Sequence, residues 1–226
     1  RKRLCKILRT RRKNELTPST VLDEDGKVAP NVKQAVHNLA LDDNRMWSLP
    51  MPFPPVYMGV EDRVSETWFP GEHGDSGGNW YTKGIPDGSC FHMKEWMEKS
   101  GLKFIKAVDI NEESLKIKDY PDVKITAEDL SLLPDPTDKI HQNDAQINDP
   151  SYRPVLAVKD DKPIEGGIVQ VHLSVLQHME AMKEKGGKPY AVNPNLKDAN
   201  FVVVGSLGEV MDDETKRLAE LLKSDY

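Results

Sequence analysis

V-S-E-T-W-F-P-G-E-H-G-D-S-G-G (64–78) is the stretch whose reading decides the fold. Val64–Phe69 is rich in β-branched and aromatic residues and reads as a short strand. Pro70-Gly71 ends it. The chain then opens into a glycine-rich loop that holds His73, Asp75, Ser76, Gly77 and Gly78 together. Nowhere else does the sequence gather as much potential chemistry.

Working outward, Ser89 is placed to cap a helix over 90–100, with Met93, Trp96 and Met97 inward and Gly101 as its stop. Upstream, Pro30 suits a first helical turn. Val32, Ala35, Val36, Leu39 and Ala40 then recur at helical spacing, which predicts an amphipathic helix. Residues 47–60 contain four prolines and read as an ordered loop. Residues 105–165 are polar and rich in Asp and Pro; only Val155–Val158 suggests a strand, so the segment reads as a surface insertion. Ser174 starts a helix with Val175, Met179 and Met182 on one face, ended by Gly186-Gly187. Phe201–Val204 reads as a buried strand. Residues 212–223 form a last helix, acidic in its first turn, with Leu218, Leu221 and Leu222 inward. Alternating helices and short strands predict an α/β class. The expected organisation is a basic arm and linker over 1–29 and one domain over 30–226, with the insertion at about 105–165.

The whole chain has 226 residues, 30% of them charged, and a net charge of -6. No apolar run approaches the roughly 18–20 residues of a membrane helix. Two cysteines, Cys5 and Cys90, exclude a disulfide scaffold and a multi-cysteine zinc site. They read as free thiols of a reducing, intracellular compartment, the cytoplasm. Residues 1–13 hold eight Lys or Arg and no acid, which leaves -14 on the remainder. Such an arm can meet an anionic partner, whether acidic protein, lipid or nucleic acid, or simply form a solvated helix on its own domain.

Three readings compete for the loop. G-D-S-G-G (74–78) satisfies G-x-S-x-G, but Gly77-Gly78-Asn79 is a poor start for the helix that a nucleophile elbow requires. A chymotrypsin-like reading of Ser76 lacks the all-β context. A metal reading would use His73, Asp75 and Glu72 or His92, yet H-x-D alone falls short of a ligand set. The third makes His73 a general base on a loop after a strand. The glycines Gly77 and Gly78 then permit a tight turn, and Asp75 steadies the loop by accepting backbone N–H bonds. A loop histidine fixed by hydrogen bonds is the plain structural alternative.

W-F-P-G-E-H-G-D-S-G-G-N-W-Y (68–81) resembles the W-F-x-G-x-H-x-D-x-G-G-G-Y signature of an α/β-hydrolase family, a domain of unknown function by name, that includes the type VI secretion phospholipase effectors. N-V-K-Q-A-V-H-N-L-A-L-D-D-N-R (31–45), I-P-D-G-S-C-F-H-M-K-E-W-M (85–97), V-H-L-S-V-L-Q-H (171–178) and P-Y-A-V-N-P-N-L (189–196) resemble further segments of that family, in the same order. The resemblance implies the C-terminal portion of an α/β-hydrolase-like fold, with late strands, flanking helices and His73 as triad base. In that family the serine elbow reads G-F-S-R-G and the acid lies near W-D-T-V, both upstream; neither motif occurs here. Gly74, Ser76 and Asn79 depart from the signature, and Asp43 stands where the family has Glu. By family position His37 is a packing or hydrogen-bonding residue on the helix, while His92, His141, His172 and His178 read as surface or helix-end residues.

The expected function is thus a serine-dependent ester hydrolase of phospholipid type, with His73 in this chain and the Ser and Asp elsewhere. The alternative is a hydrolase-like scaffold subunit without catalysis. No cofactor and no metal is expected. The expected partners are an N-terminal segment or other protein chains, because half a parallel sheet is unstable alone.

Overall fold

The structure is a computed structural model that describes residues 28–43, 63–80, 82–111, 115, 122, 125–141, 152–155, 158–159, 162–163, 166–186, 190 and 192–224. The basic arm, the 47–60 loop, Cys5 and Gly187 lie outside the described residues. The elements in chain order are β1 (Ala35–Ala40), β2 (Val64–Phe69), α1 (His73–Gly77), α2 (Gly84–Lys99), β3 (Val158–Lys159), β4 (Lys162–Pro163), β5 (Val169–His172), α3 (Leu173–Glu184), β6 (Phe201–Val204) and α4 (Asp212–Lys223). Four strands form one parallel sheet in the order β1-β2-β5-β6, and β3 pairs antiparallel with β4. The fold is α/β, as expected.

The register explains the core. Leu39 pairs with Trp68, Trp68 with Val171 and Val171 with Val203, a single row across all four strands. That row packs with Val175, Leu176 and Met179 of α3 and with Leu218 and Leu222 of α4. Each fully buried Val, Leu or Met contributes about 1.5–3 kcal/mol relative to exposure. Side chains alternate along a strand, so the next positions serve the opposite layer. Asn38 on β1 hydrogen-bonds Ser89 of α2, and Phe69 on β2 packs against His92 of α2. Two helical layers thus clasp the sheet, α3 and α4 on one side and α1 and α2 on the other.

The helix predicted around 32–40 is instead strand β1. Its apolar spacing fits a helix, but pairing with β2 over six residues, Ala35 with Val64 through Ala40 with Phe69, overrides that local pattern. His37 accordingly sits on a strand and meets its cross-strand partner Glu66 at 3.1 Å. α2 begins at Gly84 and not near Ser89. Pro86 falls within its first turn, where a missing N–H leaves no bond unmade. Ser89, now interior, donates to the carbonyl of Ser76 instead of capping. Trp96 is buried, but Met97 is exposed and His92 takes the inward position. Of the predicted strand Val155–Val158, Val158 lies in β3 and Val155 is buried outside a strand, while residues 156 and 157 lie outside the described residues. Strand Val64–Phe69, strand Phe201–Val204 and helix 212–223 fall where predicted. Among the described residues no helix is long and apolar enough to cross a membrane.

Candidate active site

Parallel strands deliver their carboxyl ends to one edge of the sheet, the usual location of α/β sites. At the end of β1, Asp42 accepts hydrogen bonds from the backbone N–H of Gly71 (2.6 Å) and of Asn193 (3.0 Å) and from the hydroxyl of Tyr190. Burial raises the Asp42 carboxyl from the ordinary 3.8 to about 6, against the lowering effect of those donors. Beside it, Asp43 and Arg153 form a buried ion pair at 2.8 Å, and Arg153 also donates to the carbonyl of Ala40. These contacts pin the turn after β2 to the end of β1.

His73 is the first residue of the short helix α1 at the carboxyl end of β2. Its ring is exposed and makes no hydrogen bond among the described residues. The turn beneath it is tightly specified. Glu72 accepts from the N–H of Gly74 at 3.1 Å and from the indole of Trp80 at 2.9 Å, and Asp75 accepts from the N–H of Glu72 at 3.0 Å. This is a capping box, which satisfies helix-start donors reciprocally. Gly74 has no room for a side chain, since a Cβ there would sit 2.4 Å from the Trp80 indole nitrogen. Gly77 closes α1, and Gly78 follows as its cap with φ 74°, a left-handed conformation that glycine adopts freely.

Asp75 is fully buried. One carboxylate oxygen lies 2.6 Å from Nδ1 of His141, and the other accepts the backbone N–H of His141 at 3.1 Å. Burial raises the Asp75 carboxyl above its ordinary value, opposed by the hydrogen bonds from His141 and Glu72. The His141 ring stacks on Trp80 at 4.6 Å. Nδ1–H donating to the carboxylate leaves Nε2 as the basic nitrogen, the relation of acid to base within a triad. Ser76 Oγ is buried and hydrogen-bonded to neither histidine among the described residues.

Behind this loop lies a second polar chain. His92 is 1% exposed, a correction to its expected surface position. Its Nδ1 meets Asn38 Oδ1 at 3.0 Å and its Nε2 accepts the Trp96 indole N–H at 3.2 Å, so burial leaves neither nitrogen unpaired. Burial lowers its pKa from 6.5 to about 4. His178, also expected at the surface, is 3% exposed and bonds the carbonyl of Pro136. His172 caps α3: its Nδ1 accepts the N–H of Ser174 at 3.2 Å and lies 2.8 Å from Ser174 Oγ. It stacks on Phe69 at 4.4 Å, and burial together with His92 lowers its pKa to about 3. A cleft of about 320 Å³ opens beside it, reaching from Pro70 to Gly205. Among the described residues, no three His, Cys, Asp or Glu side chains converge to hold a metal.

The structure therefore brings His73, Asp75, Gly77 and Gly78 onto one turn at the carboxyl edge, and it adds His141, which the sequence reading left at the surface. Asp75 and His141 are 66 residues apart, and no local signal joins them. The motif at 171–178 pointed to the right segment for His172 but not to its contact with Phe69. No curated protein and no solved structure matches the chain. Residues 6–100, which contain β1, β2 and the His73 turn, match the family model of the T6SS phospholipase effector Tle1-like catalytic domain, so this part of the chain is similar to that phospholipase domain, within the family its motifs resemble.

Proposed function

We propose that the chain is the histidine-bearing part of a serine-dependent ester hydrolase acting on phospholipid-type substrates. The observation that carries this reading is the exposed ring of His73, without a hydrogen-bond partner among the described residues, on a rigidly capped turn at the carboxyl end of β2. The match of residues 6–100 to a phospholipase catalytic domain supports the substrate class. The serine and the acid that orients His73 come from outside these 226 residues. β1 ends the row of described strands, the side on which an upstream strand would join.

In this mechanism the serine hydroxyl attacks the ester carbonyl carbon and its proton passes to His73 Nε2. The tetrahedral intermediate collapses, the C–O bond to the leaving alcohol breaks, and His73 returns the proton to that alcohol. Water then attacks the acyl-enzyme with His73 taking its proton, and the released serine recovers it. The Asp75–His141 pair at 2.6 Å favours a second reading, in which His141 is the base.

His73→Ala and His141→Ala in the natural full-length protein separate these readings, followed by fatty-acid release from phospholipid vesicles. His73→Ala should lower turnover at least about a hundredfold with an unchanged thermal midpoint. Turnover retained by His73→Ala and lost by His141→Ala supports the second reading. A wild-type protein with no turnover on any ester favours the scaffold.

A further inference from the structure

His73 has no hydrogen-bond partner among the described residues, so the backbone of α1 decides where its ring sits. α1 has five residues, far short of the length at which a helix holds itself together. Its shape is therefore imposed by its surroundings. From α2, Ser89 Oγ donates to the carbonyl of Ser76 at 2.7 Å. The rest of the hold is a closed circuit of four residues. The N–H of Glu72 donates to Asp75 at 3.0 Å, and Asp75 lies 2.6 Å from Nδ1 of His141. The His141 ring stacks on Trp80, with 11° between the planes, and the Trp80 indole donates to Glu72 at 2.9 Å. His73 lies in the chain between Glu72 and Asp75, the two carboxylates of that circuit.

His141 brings the circuit support from outside. It ends the segment 125–141, which is itself tied to two helices. The N–H of Leu133 donates to Asp87 at 2.8 Å and that of Asp135 to the carbonyl of Gly84 at 3.0 Å. The N–H of Gly84 donates back to Asp138 at 3.0 Å. His178 of α3 donates to the carbonyl of Pro136 at 2.6 Å. The segment thus reaches Asp75 already fixed, and there His141 meets both carboxylate oxygens, one through its ring and one through its own N–H. The His141 side chain is 13% exposed and covered by Trp80, whereas His73 stands in the open. We propose that His141 is a positioning residue, which holds Asp75 and Trp80 and thereby aims the His73 imidazole. This rests on the reading of His73 as the base. A group displaced by about 1 Å can lose about a hundredfold in rate, so the clamp bears directly on turnover.

The test combines turnover with a readout that needs none. In the natural full-length protein, kcat and KM are measured on monomeric dihexanoyl phosphatidylcholine, below each variant's thermal midpoint. Hydrogen–deuterium exchange of the α1 amides is followed alongside. His141→Ala should lower kcat at least about tenfold with KM within about twofold, and should speed α1 exchange at least about tenfold. His141→Asn keeps an N–H that reaches Asp75 but has no basic nitrogen. It should bring exchange back toward the wild type and recover most of the kcat that alanine loses. Trp80→Phe keeps the stacked ring and removes the indole donor to Glu72, so it should lower kcat by a smaller factor, again with KM held. If His141→Ala does not fold, His141→Asn and Trp80→Phe provide the same readouts.

Unchanged α1 exchange in His141→Ala overturns the proposal, and so does faster exchange with a wild-type kcat. His141→Asn with restored exchange and no turnover makes His141 the base itself, which also overturns it. A loss confined to KM places His141 against substrate and overturns it too. Turnover that survives His73→Ala sinks the hydrolase mechanism instead, and the exchange data then still report whether His141 clamps the turn.

Discussion

Arg153 and Asp43 form an ion pair across 110 positions of sequence, with both side chains almost wholly buried. Removing one member of such a pair leaves a charge stranded in a poor solvent. Arg153→Met should therefore destabilise the fold by about 3–5 kcal/mol, and adding Asp43→Asn should recover much of that loss. Urea unfolding of the two variants checks it; equal stabilities would contradict it. At this scale the His73 turn was legible because its residues are contiguous and glycine-rich. The partners of that turn were not. His141 and Arg153 lie in the polar segment that reads as irregular, where neither periodicity nor turn chemistry marks a contact. His92 was misread for a related reason: an imidazole on a helix looks solvent-facing until both nitrogens are seen to be satisfied.

β1 carries the same lesson one level up. Val32, Ala35, Val36, Leu39 and Ala40 match a helical stripe, yet the segment from Ala35 pairs in register with β2. A strand buried on both faces lacks the alternation that identifies a half-exposed one. Six residues of apolar sequence then leave period 2 and period 3.6 hard to tell apart. α4 was legible because it is half exposed: acids in its first turn and leucines at i, i+3 and i+4 admit one reading. As a strand, β1 presents Asn38 to α2, where its amide donates to Ser89 O and Oγ and its oxygen meets His92 Nδ1. Asn38→Ala leaves those buried groups without that partner and should cost about 1–3 kcal/mol. Denaturant unfolding reports the loss, and the amide exchange of α2 should rise with it. An unchanged stability would argue against the strand placement of this residue.

At the scale of the molecule, buried histidines and carboxyls among the described residues set how stability follows pH. His92 and His172 titrate near 4 and 3 in the fold, against 6.5 ordinarily. Below 6.5 the unfolded chain takes up two protons that the fold refuses, so their contribution is lost as pH falls. Asp42 acts oppositely: its value rises from 3.8 to about 6, so its contribution is present below 3.8 and lost as pH rises through 6. Between pH 6 and 4 the histidines outnumber the carboxyl, which leaves one net proton. Stability should then fall by about 1.4 kcal/mol for each unit of acidification. His178, lowered by burial, and Asp75, raised by burial, pull in opposite senses over the same range. Thermal melts across that range test the slope; a fold that strengthens toward pH 4 would refute it.

Adjacent residues of β2 face opposite layers: Trp68 is embedded with α3 and α4, while Phe69 is wedged against His92 and His172. The last rung before the His73 turn is therefore gripped like a blade in a vice. Loosening either jaw, even at a residue far from the imidazole, gives the blade play. The rate at which diethyl pyrocarbonate carbethoxylates His73 thus becomes a gauge of strain in both halves of the interior at once.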